Sequence, residues 1–223
     1  MKAASQADRT FDTTNKWEDC KRLCRAPRVV LDCGANRGQA ARNLREAYPH
    51  ARLFCFEPVS SVIPHLEPVA RELNAEIVEA AVSNRTGTAE INLTESHESN
   101  SLLGFLADNN PLEKYHRVRG TEQVRTWRLD DWCAQAGVAP AEVDVIKLDV
   151  QGAELMALDG ATQILAHVRV VMLEVAFVPY YAACPLDTDV HAYMRARGFT
   201  RRHLYAAPMP EIWADAIYTP SAF

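Results

Sequence analysis

Four carboxylates each stand at the end of a short apolar run in the 223-residue sequence. They are Asp32, Glu57, Asp149 and Glu174. Such runs are typical of buried parallel strands, and open α/β sheets bind ligands outside the carboxyl ends of their strands. A carboxylate there is unfavourable unless water, a cation or hydrogen-bond donors satisfy it. Any one of the four could cap the helix that follows it, but the coincidence of all four indicates one ligand-binding edge.

A glycine-containing loop, residues 32–38, follows the first of these runs. Glycine permits a sharp turn and a close approach of the backbone to a ligand, and a helix is predicted to begin just beyond the loop. Asn36 stands where a dinucleotide-binding fingerprint has its middle glycine, which removes the room that a pyrophosphate needs. The loop therefore favours a cofactor without phosphate, and Glu57 is placed to accept hydrogen bonds from its ribose hydroxyls.

Asp149 and Glu174 could hold a divalent cation or act as a base. Carboxylate oxygens suit Mg²⁺ better than zinc. Lys147 lies two residues before Asp149, hence on the same face of the predicted strand, and its charge could neutralise the carboxylates without any metal. The sequence leaves both arrangements open.

The order of the predicted elements brings these side chains to one edge of a sheet. An apolar run at 29–31, the glycine loop and a helix at 39–48 form a strand, a turn and a helix. Repetition of this order predicts a doubly wound α/β fold with a mostly parallel, Rossmann-like sheet. Further strands are predicted at 53–56, 76–80, 143–150 and 168–175, helices at 65–73, 130–136, 153–165 and 188–197, and extended segments at 89–93, 125–129, 200–205 and 214–218.

The chain divides into a short extension and one domain. Residues 1–27 are polar, with three apolar side chains at helical spacing, and predict a helical extension. Residues 28–223 predict a single domain. Within it, residues 94–123 show no clear period, so we expect a lid or substrate-binding insertion, because long irregular stretches of compact domains are commonly functional.

Composition narrows the function classes. A net charge of -5 without a basic stripe argues against nucleic acid as a partner. The six cysteines are expected to be free and reduced, since no Cys/His pair near Cys20 and Cys24 completes a zinc site. The polar start of the chain and the lack of a long apolar run predict a soluble, cytoplasmic protein with no membrane span and a small-molecule substrate.

Six short segments occur in a distinctive order. They read Leu-Asp-Cys-Gly-Ala-Asn-Arg-Gly-Gln at 31–39, Phe-Glu-Pro at 56–58, Ala-Val-Ser at 81–83, Arg-Leu-Asp-Asp at 128–131, Ile-Lys-Leu-Asp-Val-Gln-Gly-Ala-Glu at 146–154 and Trp-Ala-Asp-Ala at 213–216. With these segments the sequence resembles the FkbM family of S-adenosylmethionine-dependent methyltransferases from about Val29 to the C-terminus. Six ordered matches are specific, whereas any one alone is weak.

The resemblance implies a seven-stranded sheet with one antiparallel strand. It also implies transfer of a methyl group, usually to a hydroxyl oxygen, with a sugar or a secondary metabolite as acceptor. By position, the methionine portion of the cofactor would be flanked by Gly34, Ala35, Asn36 and Gly38. Glu57 would contact the ribose and residues 81–83 the adenine, while Asp149 would lie beside the reactive methyl. The implied cofactor-binding residues are Asp32, Gly34, Ala35, Asn36, Gly38, Gln39, Glu57, Pro58, Ala81, Val82, Ser83 and Asp149.

The polar segment 96–101 is predicted to form part of a lid over the cofactor. Ser99, Asn100 and Ser101 could hydrogen-bond the acceptor hydroxyl or the adenine edge. The leucine-rich residues 102–106 would then exclude water on closure.

His97 is the candidate base of this segment. An alcohol is a poor nucleophile until a base takes its proton, and histidine has the pKa best suited to that near neutrality. A solvated turn in which His97 pairs with Glu98 is the alternative, and His191, on a predicted surface helix, is the competing histidine. The proton could also go to Asp149 or Glu174.

Two other functions fit the same fold. A nicotinamide-dependent oxidoreductase is disfavoured by the glycine loop and by the lack of any Tyr-x-x-x-Lys pair in the sequence. A non-catalytic module that keeps the cofactor fold is also possible, since fold alone does not decide function. Turnover of the cofactor, rather than binding, would separate it from an enzyme.

Overall fold

The computed structural model describes residues 10–106, 112 and 117–222. Its strands are β1 Val29–Cys33, β2 Arg52–Phe56, β3 Glu76–Val78, β4 Ala81–Val82, β5 Gly87–Thr94, β6 Val118–Trp127, β7 Val143–Leu148, β8 Val170–Ala176, β9 Phe199–Ala206 and β10 Trp213–Pro220. Its helices are α1 Lys16–Leu23, α2 Gln39–Ala47, α3 Ile63–Leu73, α4 Leu129–Ala136, α5 Glu154–Asp159, α6 Thr162–Leu165 and α7 Asp187–Ala196. Residues 107–111 and 113–116 of the predicted insertion lie outside the described residues.

Seven strands of the described chain form one sheet in the order β3-β2-β1-β7-β8-β10-β9. The strand β10 runs antiparallel to both of its neighbours, and the other pairs are parallel. This topology confirms the predicted doubly wound fold with one antiparallel strand. All five residues of β1 are buried, because its side chains enter apolar clusters on opposite faces of the sheet, with Leu31 in one cluster and Val30 in the other.

The helix α1 packs against this sheet and extends the core. It contacts α2 and β8, and Cys20 Sγ lies 4.0 Å from Met172 Sδ. All six cysteines are buried and free, as the sequence predicted. Among the described residues, no helix is long and apolar enough to cross a membrane.

The start of β6 corrects the prediction that residues 94–123 are irregular throughout. The strand begins at Val118 and pairs antiparallel with β5, and β4 adds to its other side in a second sheet of order β4-β6-β5. The first half of β6 is largely exposed and polar, so no apolar alternation marks it in the sequence. Its register comes from β5.

The helix predicted over 153–165 is wrong as a single element. It is two short helices, α5 and α6, separated at Gly160 and Ala161. Asp130 accepts hydrogen bonds from the N–H groups of Gln163 and Ile164 and caps the second helix. The cap comes from a residue more than thirty positions earlier, so the break has no local signal. The predicted third strand is also shorter, because β3 ends at Val78.

Candidate functional site

A cavity of about 650 Å³ opens at the carboxyl ends of β1, β2, β7 and β8, a volume typical of cofactor sites. The predicted site residues that line it are Gly34, Ala35, Asn36, Gln39, Glu57, Pro58, Ala81, Val82, His97, Ser99, Asn100, Asp149 and Glu174. Those outside its lining are Asp32, Gly38, Ser83 and Ser101. The fold thus gathers most of the predicted residues from segments that are far apart in the sequence.

Gly34 joins the loops that follow β1 and β7. The N–H groups of Gly34 and Ala35 donate to the carbonyl oxygen of Phe56 at 3.0 and 2.9 Å. Gly34 has φ +79°, and a Cβ there would lie 1.9 Å from the carbonyl oxygen of Asp149. Neither the conformation nor the spacing admits a side chain. The glycine loop is therefore fixed where three strands end together.

Gly38 has a packing role at the start of α2. Its φ is +86°, its N–H donates to the carbonyl oxygen of Ala35 at 2.8 Å, and a Cβ would lie 2.6 Å from Val69 Cγ1. It allows α3 to pack closely against the loop.

Glu57 faces the cavity from the end of β2. Its Oε2 accepts from the N–H of Asn36 and its Oε1 from the N–H of Val59, both at 3.0 Å. Burial raises the pKa of Glu57 to about 7, against these two bonds and the charge of Lys147, which lower it. Each carboxylate oxygen has further acceptor capacity. Ionised Glu57 can therefore also accept hydrogen bonds from a ligand's hydroxyl groups.

Lys147 links the ends of β1 and β7 by charge. Its Nζ lies 3.0 Å from Asp32 Oδ1 and 3.6 Å from Asp149 Oδ2, and it donates to the carbonyl oxygen of Gly34 at 2.9 Å. Burial alone lowers the pKa of Lys147, but Asp32 and Asp149 together raise it above its usual value. Asp32 is fully buried. It serves as a counter-ion inside the sheet, while Asp149 is the partner that reaches the cavity.

Asp149 and Glu174 differ in their surroundings. The side chain of Asp149 is 42% exposed. Glu174 Oε1 accepts a hydrogen bond from the hydroxyl of Tyr180 at 2.8 Å, and burial, followed by the charges of Asp149 and Glu154, raises the pKa of Glu174 well above its usual value. A raised pKa favours the protonated form of Glu174, and a protonated carboxyl donates a hydrogen bond better than it abstracts a proton.

Metal ligation has little support in this geometry. Within the described residues, no group of three or more His, Cys, Asp or Glu side chains is arranged to hold a metal ion. The ammonium group of Lys147 lies beside Asp149, where a cation would otherwise sit.

His97 reaches the same cavity from a 3₁₀ turn, His97–Ser99. The side-chain amide of Asn36 donates to the carbonyl oxygen of His97 at 3.5 Å. Burial, followed by the charge of Arg37, lowers the pKa of His97. Its Nδ1 is buried with no hydrogen-bond partner among the described residues. A neutral imidazole at this position can accept a proton.

The polar residues after His97 tie the segment 96–101 to its surroundings. Asn100 Oδ1 accepts from the N–H of Thr94 at 2.9 Å. Ser101 Oγ donates to the carbonyl oxygen of Gln151 at 2.6 Å and accepts from the N–H of Leu103 at 3.0 Å. Ser99 and Asn100 line the cavity, whereas Ser101 holds the segment to the loop after β7.

A further part of the lining was not predicted. Lys16 and Trp17 of α1 line the cavity, as do Met209, Trp213 and Asp215 from β10 and the connection before it. Lys16 forms an ion pair with Asp215. No motif precedes residue 29, so nothing in the sequence indicates a role for α1. Trp213 and Asp215 lie within the segment 213–216, which contributes to the family resemblance but carries no predicted role.

Comparisons with known proteins bear on the family of the chain. A family model described as the methyltransferase FkbM domain matches residues 32–201. The 2-O-methyltransferase NoeI of Sinorhizobium fredii is 35% identical over 161 residues, which are 66% of this chain and 62% of that protein. The chain therefore spans less than two thirds of that relative's length.

Among solved structures, the bifunctional kinase-methyltransferase WbdD matches with a TM-score of 0.53 at 13% identity. The match covers 92% of this chain and 37% of WbdD. At this identity the likeness shows a shared fold and nothing further.

We expect Gly34→Ala to lower the free energy of unfolding by more than about 3 kcal/mol, because the new Cβ would collide with the backbone of Asp149. Gly137→Ala is the matched control, since Gly137 also has a positive φ of +64° but open space around it. The control should lose only about 1 to 2 kcal/mol from its conformation. Urea unfolding followed by circular dichroism measures both, and equal losses would show that the close approach is not a constraint.

Proposed function

Because this chain belongs to the FkbM family of methyltransferases, we propose that it transfers the methyl group of S-adenosyl-L-methionine to a hydroxyl oxygen of a small molecule. The family match confirms the resemblance found in the six sequence segments. Transfer to oxygen is supported by the name of the 35% identical relative, a 2-O-methyltransferase. A sugar or a secondary metabolite is the acceptor class that we propose, with no nucleic acid as partner. The cytoplasmic location stays a prediction.

The position and hydrogen bonds of Glu57 are the observation that carries the cofactor assignment. A buried carboxylate held by two backbone N–H groups at the end of β2 fits a ribose diol, which donates two hydroxyl protons. The loop 34–36 offers a backbone cradle for the methionine portion, and Ala81 and Val82 give an apolar wall for adenine. The donor set fits a cofactor of this kind without any phosphate.

We assign the two remaining roles, stabilisation of the cofactor's charge and acceptance of the hydroxyl proton, to Asp149 and His97. When bound, S-adenosylmethionine supplies an electrophilic methyl group on a positively charged sulfur. We assign to Asp149 the stabilisation of that positive charge, since its carboxylate is exposed to the cavity. We assign to His97 the acceptance of the hydroxyl proton, because burial keeps its imidazole neutral. Glu174, whose raised pKa favours the protonated form, would donate a hydrogen bond to the acceptor.

We propose that Lys147, and not Mg²⁺, balances the carboxylates of the site. Its ammonium group lies 3.6 Å from Asp149 Oδ2, and Glu174 is engaged by Tyr180 instead. Methyl transfer should therefore persist in excess EDTA. Loss of activity that added Mg²⁺ restores would reinstate the cation between Asp149 and Glu174.

The transfer itself is tested with methyl-labelled S-adenosylmethionine and small-molecule extracts. Label in a hydroxyl-bearing compound, at a rate that depends on the protein, is the expected result. Tight cofactor binding without any labelled product would support the non-catalytic module instead. Tighter binding of NAD than of S-adenosylhomocysteine would contradict the cofactor assignment.

Cofactor affinity should depend on pH through Glu57. Its pKa of about 7 means that the proton must leave before the carboxylate can accept two hydroxyl hydrogen bonds. Affinity for S-adenosylhomocysteine should therefore rise about tenfold from pH 6 to pH 8 in calorimetry. Glu57→Gln should weaken binding by about 1 to 3 kcal/mol and remove this rise. The exposed Glu72→Gln is the control, and a rise that survives in Glu57→Gln would assign the titration to another group.

His97→Ala should lower kcat at least a hundredfold with S-adenosylhomocysteine affinity unchanged, because the base is lost. His191→Ala is the matched control. His191 sits on α7 with its Nδ1 3.3 Å from the hydroxyl of Tyr218, and it does not line the cavity. Near-wild-type turnover in both variants would move the proton-accepting role to Asp149.

A further inference from the structure

The turn that carries Gln151 is held in a conformation unusual for its residue type. Gln151 has φ +54°, in the left-handed region, and Gly152 follows at φ +90°. Glu154 Oε1 accepts from the N–H groups of Val150 and Gly152 at 3.1 and 3.3 Å. A left-handed conformation is unfavourable for a residue other than glycine and persists where its surroundings fix it. Here the buried carboxylate of Glu154 fixes the turn through these two hydrogen bonds.

This conformation places the side-chain amide of Gln151 between two different partners. Its Nε2 donates to Asp149 Oδ1 at 2.6 Å, and its Oε1 accepts from the hydroxyl of Tyr181 at 2.8 Å. A carboxylate only accepts hydrogen bonds, so the amide cannot turn over without setting its own oxygen against Asp149. In the orientation that Asp149 selects, the amide oxygen Oε1 faces the Tyr181 hydroxyl and accepts its hydrogen bond.

Tyr181 carries this contact to the segment 96–101. Its hydroxyl lies 3.3 Å from the carbonyl oxygen of Ser99. Its ring is fully buried, 5.0 Å from the ring of Phe105, and a Cβ on Gly152 would lie 2.9 Å from it. Ser101 Oγ adds a second link by donating to the carbonyl oxygen of Gln151. The segment that bears His97 and the loop that bears Asp149 are thus joined through one residue.

We propose that Gln151 is a positioning residue that fixes the carboxylate of Asp149 toward the cofactor and couples it, through Tyr181, to the segment 96–101. Lys147 lies beside Oδ2 of the same carboxylate and Gln151 holds Oδ1, so the carboxylate has one orientation. The inference rests on the proposed function, in which Asp149 faces the positive sulfur of the cofactor.

The test compares the affinities of S-adenosylmethionine, whose sulfur is charged, and S-adenosylhomocysteine, whose sulfur is neutral. Gln151→Leu removes both side-chain bonds at similar volume. It should reduce the preference for the charged cofactor at least threefold while the affinity for S-adenosylhomocysteine changes less than twofold. A general loosening of the fold would weaken both ligands alike, so the ratio reports the orientation of Asp149.

Tyr181→Phe is the second variant, because it keeps the buried ring and removes only the hydroxyl that donates to Gln151 Oε1. It should reduce the same ratio by a smaller factor. Gln135→Leu, on the exposed face of α4, is the control and should leave the ratio unchanged. An unchanged ratio in Gln151→Leu overturns the positioning role.

Amide hydrogen exchange tests the coupling without any cofactor. In Gln151→Leu and Tyr181→Phe the amides of Ser101 and Leu103 should exchange at least fivefold faster, and in Gln135→Leu they should not. Unchanged exchange overturns the coupling. If the wild-type protein bound neither cofactor, the proposed function would fail, while the exchange rates would still decide whether Gln151 and Tyr181 hold the segment.

Discussion

The buried ammonium group of Lys147 is the constraint on which the rest of the site depends. An ammonium ion inside a sheet loses several kcal/mol of hydration, and it persists only where charges and acceptors replace the water. Asp32 lies directly opposite Lys147 in the register of β1 and β7, and Gly34 supplies a carbonyl oxygen. For all of these groups to reach one nitrogen, the ends of β1 and β7 must meet closely, and that closeness is why position 34 admits no side chain.

The same charge sets the electrostatics of the cavity. Lys147 and Asp32 neutralise each other within the sheet, so Asp149 adds a net negative charge at the cavity surface. Burial raises the pKa of Glu174 well above its usual value and raises that of Glu57 to about 7. In the proposed complex a positively charged sulfur would therefore be favoured beside Asp149, while the neighbouring acids can donate or accept hydrogen bonds according to their protonation.

Those parts of the fold that depend on local sequence patterns could be predicted from the sequence. Buried parallel strands appear as apolar runs, so the strand ends and their carboxylates could be read in order. The break between α5 and α6 could not, because its cap is the side chain of Asp130, which comes from a distant helix. The inward direction of the Asp32 side chain could not be predicted from local patterns either. A residue at a strand end faces a ligand or a neighbouring strand according to the register, and the pairing of β1 with β7 is what brings Lys147 opposite Asp32.

The unequal predictability of the cavity has a physical origin. The side of the cavity that we assign to the cofactor is built from turns at strand ends. There, glycines that let the backbone approach a ligand and a few polar side chains leave clear sequence signals. The other side of the cavity includes Trp17 of α1 and Met209 and Trp213 near β10, all outside the matched residues 32–201. Aromatic and thioether side chains contribute shape and apolar contact, and many sequences can supply these. The family match therefore bears on the strand-end turns of the cavity, and the contribution of this apolar wall is seen only in the structure.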